Sequence, residues 1–542
     1  MNTVEHPRRR VIVRGGVSLL LVAAISFAST VTAAPARSTN SGTSLQPAGD
    51  WPAWQFDPTG SRHNPNETAI TPSSVGSLRL KWVRSFPGTN AASSQPAVVG
   101  GTLYVGARDG TFYALEAATG QVRWTFDTHA IVGQIENPLR DGPAVSDGTV
   151  YFGDNEANLY ALDATTGAQR WVRKLDTHPD ARLTSSPLVF RGRVFVGVAS
   201  TEENSAADDA YQCCTFRGSV VALDAGTGVE VWRHYTIPPP QPTGDKPEFA
   251  PSGAAVWSSP TIDPATGTLY YTTGNPYSGD APGADAIGAL DAETGVVRWV
   301  RQLTASDTWN MRCVVPVAGG NCPEPGSDFD FGSHANVFTI NGRRVVGAGQ
   351  KTGVYHVLDA ATGAIVWQSQ LSVPDPNPTL PGQESLSGIQ WGASHDGQRL
   401  YVATNQANPG TLFALDPATG AAVWQTPNPP LGCLLGGALL EVLFCKLAMP
   451  SAVSSTPGLV YEGSMDGKLR IFSASTGQIL WRYDTAIPFL FPVNGVPGKG
   501  GSLNGHGAVV ANGMLFTNSG YGGHDPVTGG MSGNVLLAFG LP

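Results

Sequence analysis

Short runs in which apolar and polar residues alternate recur along the chain, as in NLYAL (158–162) and GSVVAL (218–223). A period of two marks a half-buried strand. Each run opens into one motif, LDAGTGVEVW at 223–232. The motif returns as LEAATGQVRW, LDATTGAQRW, LDAETGVVRW, LDAATGAIVW, LDPATGAAVW and FSASTGQILW, ending at Trp124, Trp171, Trp299, Trp367, Trp424 and Trp481. Every copy keeps Thr-Gly with Trp four residues after the Gly, and the last places Phe472 and Ser473 where the others have Leu and an acid. The Asp or Ser starts a turn by accepting from backbone N–H groups just ahead of it. The Gly supplies the positive φ of a bulged hairpin, and the return strand ends in a large apolar indole with one donor.

One such hairpin cannot bury its own faces, so the units must stack. Spacings of 47, 61, 67, 68, 57 and 57 residues between successive tryptophans fit four-stranded propeller blades with loop insertions. An eighth unit is divided between the ends: GSLRLKWVRSF around Trp82 lacks the motif upstream, and GNVLLAFG (533–540) lacks a following Trp. The pattern predicts an all-β, eight-bladed β-propeller with tryptophan docking, closed by pairing N- and C-terminal strands. Its 66 Gly and 42 Pro suit such a turn-rich chain. Although 542 residues allow two or three domains, near-continuous repeats argue for one, covering 49–542.

A net charge of −9 without a basic patch argues against a nucleic-acid partner. Arg8, Arg9, Arg10 and Arg14 precede an apolar run over 17–28 and a small-residue site at Val31-Thr32-Ala33. This predicts a signal peptide over 1–33, with twin-arginine export open, then a disordered Ser/Thr/Ala leader over 34–48. The apolar run is short for a membrane anchor, and no nearby Cys is placed to take a lipid. The expectation is an exported protein, periplasmic or extracellular.

The six cysteines cluster as Cys213/Cys214, Cys313/Cys322 and Cys433/Cys445, which predicts three local disulfides in an oxidising compartment. For the adjacent pair, free thiols or pairing elsewhere are the alternatives. There is no C-x-x-C-H for a covalent haem.

Chemistry is expected where the repeat is broken: RLTSSP (182–187), GVASTEE (197–203), VWSSPTIDPATGTLYYTTGNP (256–276), SDFDFGSH (327–334) and GAGQKTGVYHVLD (347–359). Glu202, Asn275, Asp328 and Asp330 offer hard oxygen donors suited to calcium. Trp257 and Lys351 suit a flat anionic cofactor. Each also has a plain structural reading: a core Trp, a solvated Lys, an acid pair in a turn. His334 and His506 are open between facing the pocket and sitting in solvated loops.

The TTGNP box, the Trp before it, QKTGVYHVLD and the repeated LDxxTGxxxW resemble the quinoprotein alcohol dehydrogenases, eight-bladed propellers that carry pyrroloquinoline quinone (PQQ). CCTFRGSVVALD, DTWN followed by NCPEPGSDFDFG, GIQWGASHDG, FPVNGVPGKGGSLNGHG and the closing GNVLLAF resemble the polyvinyl-alcohol dehydrogenase branch. The resemblance runs from about Trp51 to Gly540. It implies that Trp257 is the floor beneath the quinone and that Lys351 stands against its carbonyls. Thr184 and Arg140 would meet cofactor carboxylates. Glu202, Asn275, Asp328 and Asp330 would ligate calcium or, with a second Asp at that spacing, a lanthanide.

In the methanol-dehydrogenase branch the base follows the Trp of D-x-W-D. Here that position is Asn310, so the role passes to Asp328, with Asp307 as fallback. The vicinal cysteines follow Glu202 rather than precede it, so contact with the quinone is not implied. The implied reaction is hydride transfer from an alcohol to the quinone, with electrons leaving to an external carrier such as cytochrome c. The implied substrates are secondary alcohols, foremost polyvinyl alcohol. LLGGALLEVLF (434–444), between Cys433 and Cys445, reads as an apolar lip for a hydrocarbon backbone or as a satellite core cluster. The rival functions are a non-catalytic scaffold propeller, like those that assist outer-membrane assembly, and a quinoprotein for another alcohol or a sugar.

Overall fold

The computed structural model describes residues 49–542 apart from 134–136, 315–318, 377–382, 407–408, 431–432, 434–444 and 522–529. The predicted signal peptide and leader, and the apolar segment 434–444, therefore lie outside the described residues. Eight antiparallel sheets of at least four strands form the blades of a β-propeller. In the fourth blade, for example, Thr261–Asp263, Thr268–Thr272, Ala286–Asp291 and Val297–Gln302 lie side by side in chain order. One blade joins the two ends of the chain: Arg79–Ser85 pairs with Val535–Gly540, which pairs with Met514–Ser519 and then Val509–Ala511.

The repeated motif makes the turn between the third and fourth strands. The register slips at the same place in seven blades, as between Ala161/Leu162, Ala222/Leu223 and Ala289/Leu290. This is the bulge expected from the sequence. The Asp closes its own turn: Asp291 Oδ1 accepts from the N–H groups of Glu293 and Thr294 at 3.0 and 2.9 Å. The Thr-Gly glycine has a second duty that the sequence did not reveal. Gly295, at φ +73°, lies under Trp232 of the preceding blade, and a Cβ there would sit 2.7 Å from an indole carbon. Trp232 Nε1 then donates to Ala292 O in the same turn at 3.1 Å. Trp82, Trp124, Trp171, Trp299, Trp367 and Trp424 make the corresponding bond to the next blade.

Residues 49–64, which carry no periodic pattern, cross blade after blade. Pro52 O, Pro58 O, Thr59 O, Ser61 O and Arg62 O accept from Val145, Ile262, Val337, His395 and Ser455 N–H at 2.7–2.9 Å. The segment thus stitches together strands that are far apart in sequence.

Candidate active site

Up-and-down order fixes which loops share a face. The loop entering the first strand of a blade and the loop leaving its second strand emerge on one side, and the third-to-fourth turn, which holds the repeated motif, emerges on the other. Arg140, Thr184, Trp257, Asp328, Asp330 and Trp391 precede first strands, whereas Glu203, Asn275 and Lys351 follow second strands. They line a single cavity of about 580 Å³.

Lys351 is the hub. Its Nζ lies 3.0 and 2.9 Å from the two carboxylate oxygens of Asp328 and 2.6 Å from Asp330 Oδ1. The ammonium also stands 5.4 Å from the centre of the Trp257 ring, within cation–π reach. Trp257 Nε1 donates to Asp330 Oδ2 at 2.8 Å, and Trp391 meets the Trp257 ring edge-on at 5.3 Å. Burial pushes the Asp328 carboxyl well above the usual range; Lys351 opposes this, while Asp330 and Glu203 add to it. Ser385 Oγ also donates to Asp328 Oδ2 at 3.2 Å. Asp328 holds φ +60°, an unusual left-handed backbone for an aspartate.

Asp307 explains how that backbone is held. Its carboxylate accepts the N–H groups of Ser327, Asp328 and Phe329 at 2.6, 3.1 and 2.5 Å. Burial pushes Asp307 up to about 6 despite those donors. It does not line the cavity, so it is not placed to serve as the fallback base. Asn310 is likewise structural, donating to Tyr277 O and Asn321 O at 2.9 Å.

The expected placement of Glu202 is overturned. Its carboxylate is fully buried and turned away, accepting from Thr215 N–H, Phe216 N–H and Tyr211 OH at 2.7, 2.9 and 3.0 Å. Its neighbour Glu203 lines the cavity instead. Both open the one-turn helix Glu202–Ser205, where successive residues point about 100° apart, so only one can face inward. The adjacent Glu in the quoted GVASTEE was the available signal. Burial, with Asp330 adding and Lys351, Arg182 and Arg140 opposing, pushes Glu203 up to about 7.

Asn275 donates its amide hydrogens to Trp309 O at 2.7 Å and Pro276 O at 3.2 Å. This directs Oδ1 elsewhere, and no donor among the described residues reaches it. Among the described residues, no three His, Cys, Asp or Glu side chains converge as a ready-made metal cage. A cation here would draw on Glu203, the Asn275 amide and a cavity-facing aspartate, with further oxygens from a cofactor.

Thr184 Oγ1 donates to Trp257 O at 3.3 Å, and Arg140 Nη2 to Tyr521 OH at 2.6 Å. The proximity of Tyr521 raises Arg140, so it remains a cation. Sequence reasoning assigned no role to Arg182, Trp309, Trp391 or Tyr521, although RLTSSP, DTWN, GIQWG and the closing NSGYGG contain them. Arg182 Nε and Trp309 Nε1 are buried donors with no partner among the described residues. A flat indole, cationic guanidinium groups and unused donors fit a planar polycarboxylate, and the unpaired Glu203 and Asn275 oxygens fit a hard cation.

His334 and His506 are buried rather than solvated, pushed down to about 3 and about 4 by burial and hence neutral. They line a small hollow that shares Trp257, Trp391 and Tyr521 with the main cavity. All three disulfides form. The vicinal pair spans a cis peptide with its Cα atoms 3.0 Å apart. It is buried beside Phe216 and Tyr277 and does not line the cavity.

The chain is 35% identical over 511 residues to a polyvinylalcohol dehydrogenase of a Pseudomonas species, covering 90% of this chain and 76% of that one. It belongs to the PQQ-dependent alcohol dehydrogenase family. It is accordingly an alcohol dehydrogenase. A second polyvinylalcohol dehydrogenase, from Sphingopyxis sp. strain 113P3, is 33% identical and covers 91% and 77%. The family model for the glucose/ethanol/alcohol dehydrogenase β-propeller domain matches residues 175–390. A model for the outer membrane protein assembly factor BamB matches 43–246 and 350–488, stretches rich in the bare repeat. Among solved structures, the quinohemoprotein alcohol dehydrogenase ADHIIG of Pseudomonas putida HK5 shares the fold at TM-score 0.67 and 21% identity, covering 91% of this chain and 80% of that one. A europium-containing methanol dehydrogenase does so at 0.65 and 19%, covering 91% and 98%.

Proposed function

We propose that this dehydrogenase oxidises secondary alcohols, with polyvinyl alcohol or its oligomers the leading substrate. The observation that carries the proposal is the Asp328–Lys351–Asp330 cluster around Trp257, in a cavity where the Glu203 carboxylate and Asn275 Oδ1 are left unpaired. PQQ would rest against Trp257, with Arg140, Arg182 and Thr184 toward its carboxylates. Glu203, Asn275 and Asp330 would hold calcium or a lanthanide beside it. When bound, the quinone accepts the hydride that leaves the carbinol carbon.

The protein's own part is to position the alcohol and take its proton. Asp328 faces the cavity, and burial has raised the proton affinity of its carboxyl, the direction that strengthens a general base. Lys351 fixes both Asp328 oxygens, and Asp307 fixes the backbone that presents them. The electrons would then pass to a carrier, a soluble cytochrome c in this reading. The N-terminal sequence supports export, and no helix among the described residues is long and apolar enough to cross a membrane.

The test is a substrate panel on protein loaded with PQQ and either calcium or europium, followed by dye reduction. Secondary alcohols and vinyl-alcohol oligomers are expected to react best. Preference for a sugar or a small primary alcohol would overturn the substrate assignment.

A further inference from the structure

Glu202 and Glu203 are neighbours with opposite surroundings. The Glu203 carboxylate has no hydrogen-bonding partner among the described residues and faces the cavity, whereas both Glu202 oxygens are engaged. Oε1 takes Thr215 N–H and Tyr211 OH, Oε2 takes Phe216 N–H, and His178 Nε2 lies 3.4 Å from Oε1. The two backbone donors immediately follow the Cys213–Cys214 disulfide, whose turn is pinned by Phe249 N–H donating to Cys213 O at 3.0 Å. The short helix is tied on its other side as well: Thr201 N–H donates to Asp180 O at 3.0 Å and Met311 N–H to Glu203 O at 2.9 Å.

We propose that Glu202 is a positioning residue: gripped by the N–H groups after the vicinal disulfide, it fixes the turn that aims Glu203 at the metal. This rests on Glu203 being a metal ligand, as in the proposed function. The disulfide thereby serves the site from beneath, through a carboxylate, without touching the cofactor. Only a carboxylate satisfies the grip, because each oxygen faces a backbone N–H. A glutamine must set its NH₂ against one of them. Groups that orient a metal ligand change metal affinity by about 10–100-fold when removed.

The experiment titrates calcium, and europium in parallel, into the full-length chain with PQQ present, reading the quinone absorption, and records thermal unfolding. Glu202→Gln is expected to weaken the apparent calcium affinity at least about tenfold. Tyr211→Phe, which removes a single donor, should weaken it a few-fold and decides the matter if Glu202→Gln does not fold. Ile471→Ala, buried in a remote blade, should lower the unfolding temperature and leave calcium affinity unchanged. If Glu202→Gln and Tyr211→Phe lower stability but leave metal affinity at the wild-type value, the positioning role is overturned and Glu202 only supports the fold. The underlying ligand assignment is tested separately by Glu203→Gln, which should abolish saturable binding. Wild-type affinity in that variant would remove Glu203 from the metal site whatever Glu202 does.

Discussion

Asp163 and Asp328 are both aspartates in turns at the ends of propeller strands, yet their surroundings push them in opposite directions. Asp163 sits in a repeated hairpin and takes Arg170 Nη2 at 2.9 Å, Thr166 N–H at 2.9 Å and Thr165 N–H at 3.0 Å. Arg170 first, then the Thr166 bonds, hold it down at about 2. Every partner lies within seven residues in sequence. Asp328 takes its cation from Lys351 and its backbone support from Asp307, 23 and 21 residues away. Burial raises it, and neighbouring acids raise it further. The hairpin acid is complete within its own turn and serves the ring. The axial acid acquires its character only when distant loops of the ring are assembled, and it keeps a face toward the cavity.

That contrast breaks most visibly by replacing each acid with its amide. Asp328→Asn should lower kcat/KM for secondary alcohols by about 10²–10⁴, the usual worth of a general base, while quinone uptake stays near wild type. A smaller loss than for Asp163→Asn would end the distinction. Next in size is Lys351→Met. It leaves Asp328 and Asp330 as mostly buried carboxylates without their cation, and breaking a buried pair this way costs about 3 kcal/mol. Chemical denaturation should show the loss, and acidification should relieve part of it by neutralising the stranded acids.

The same division governs what the sequence disclosed. Asp, Gly and Trp in the hairpins act over a few residues, so the blades, their number and their bulges were readable from spacing. Trp257, Asn275, Asp328, Asp330 and Lys351 were singled out because they break the repeat, Thr184 and Arg140 because the family resemblance implies them, and all meet in one cavity. Nothing local separates Glu202 from Glu203, because a one-turn helix leaves no periodicity to tell inward from outward. Arg182, Trp391 and Tyr521 gain significance only from neighbours on other loops, such as Glu203, Trp257 and Arg140. Residues 49–64 have no pattern at all, since their partners are the backbones of successive blades.

A third variant sharpens the comparison from the hairpin side. Gly295→Ala keeps the turn sequence almost intact but places a methyl at φ +73° and 2.7 Å from a Trp232 carbon. Strain and overpacking together should cost about 2 kcal/mol, read as a lower denaturation midpoint, with kcat/KM for the folded fraction unchanged. A loss of activity without loss of stability would mean that the hairpin face and the cavity face are coupled.

The smallest effect belongs to Asp163→Asn, and its pH dependence is what identifies it. Folding lowers this carboxyl from its ordinary 3.8 to about 2, so its contribution is fully present above about 4 and is lost as pH falls from there toward 2. Asparagine retains an oxygen for the Thr165 and Thr166 N–H groups and loses the Arg170 ion pair, which is exposed and screened by salt. The variant should unfold slightly below wild type at pH 7, and the gap should narrow from pH 5 to pH 3. Asp307 runs the other way: raised to about 6, it favours the fold at low pH and withdraws that support as pH rises from about 4 to 6. A gap for Asp163→Asn that is constant across pH would show that the hairpin aspartate acts by shape and hydrogen bonding alone. The charge contrast between the two faces would then rest on the axial acids by themselves.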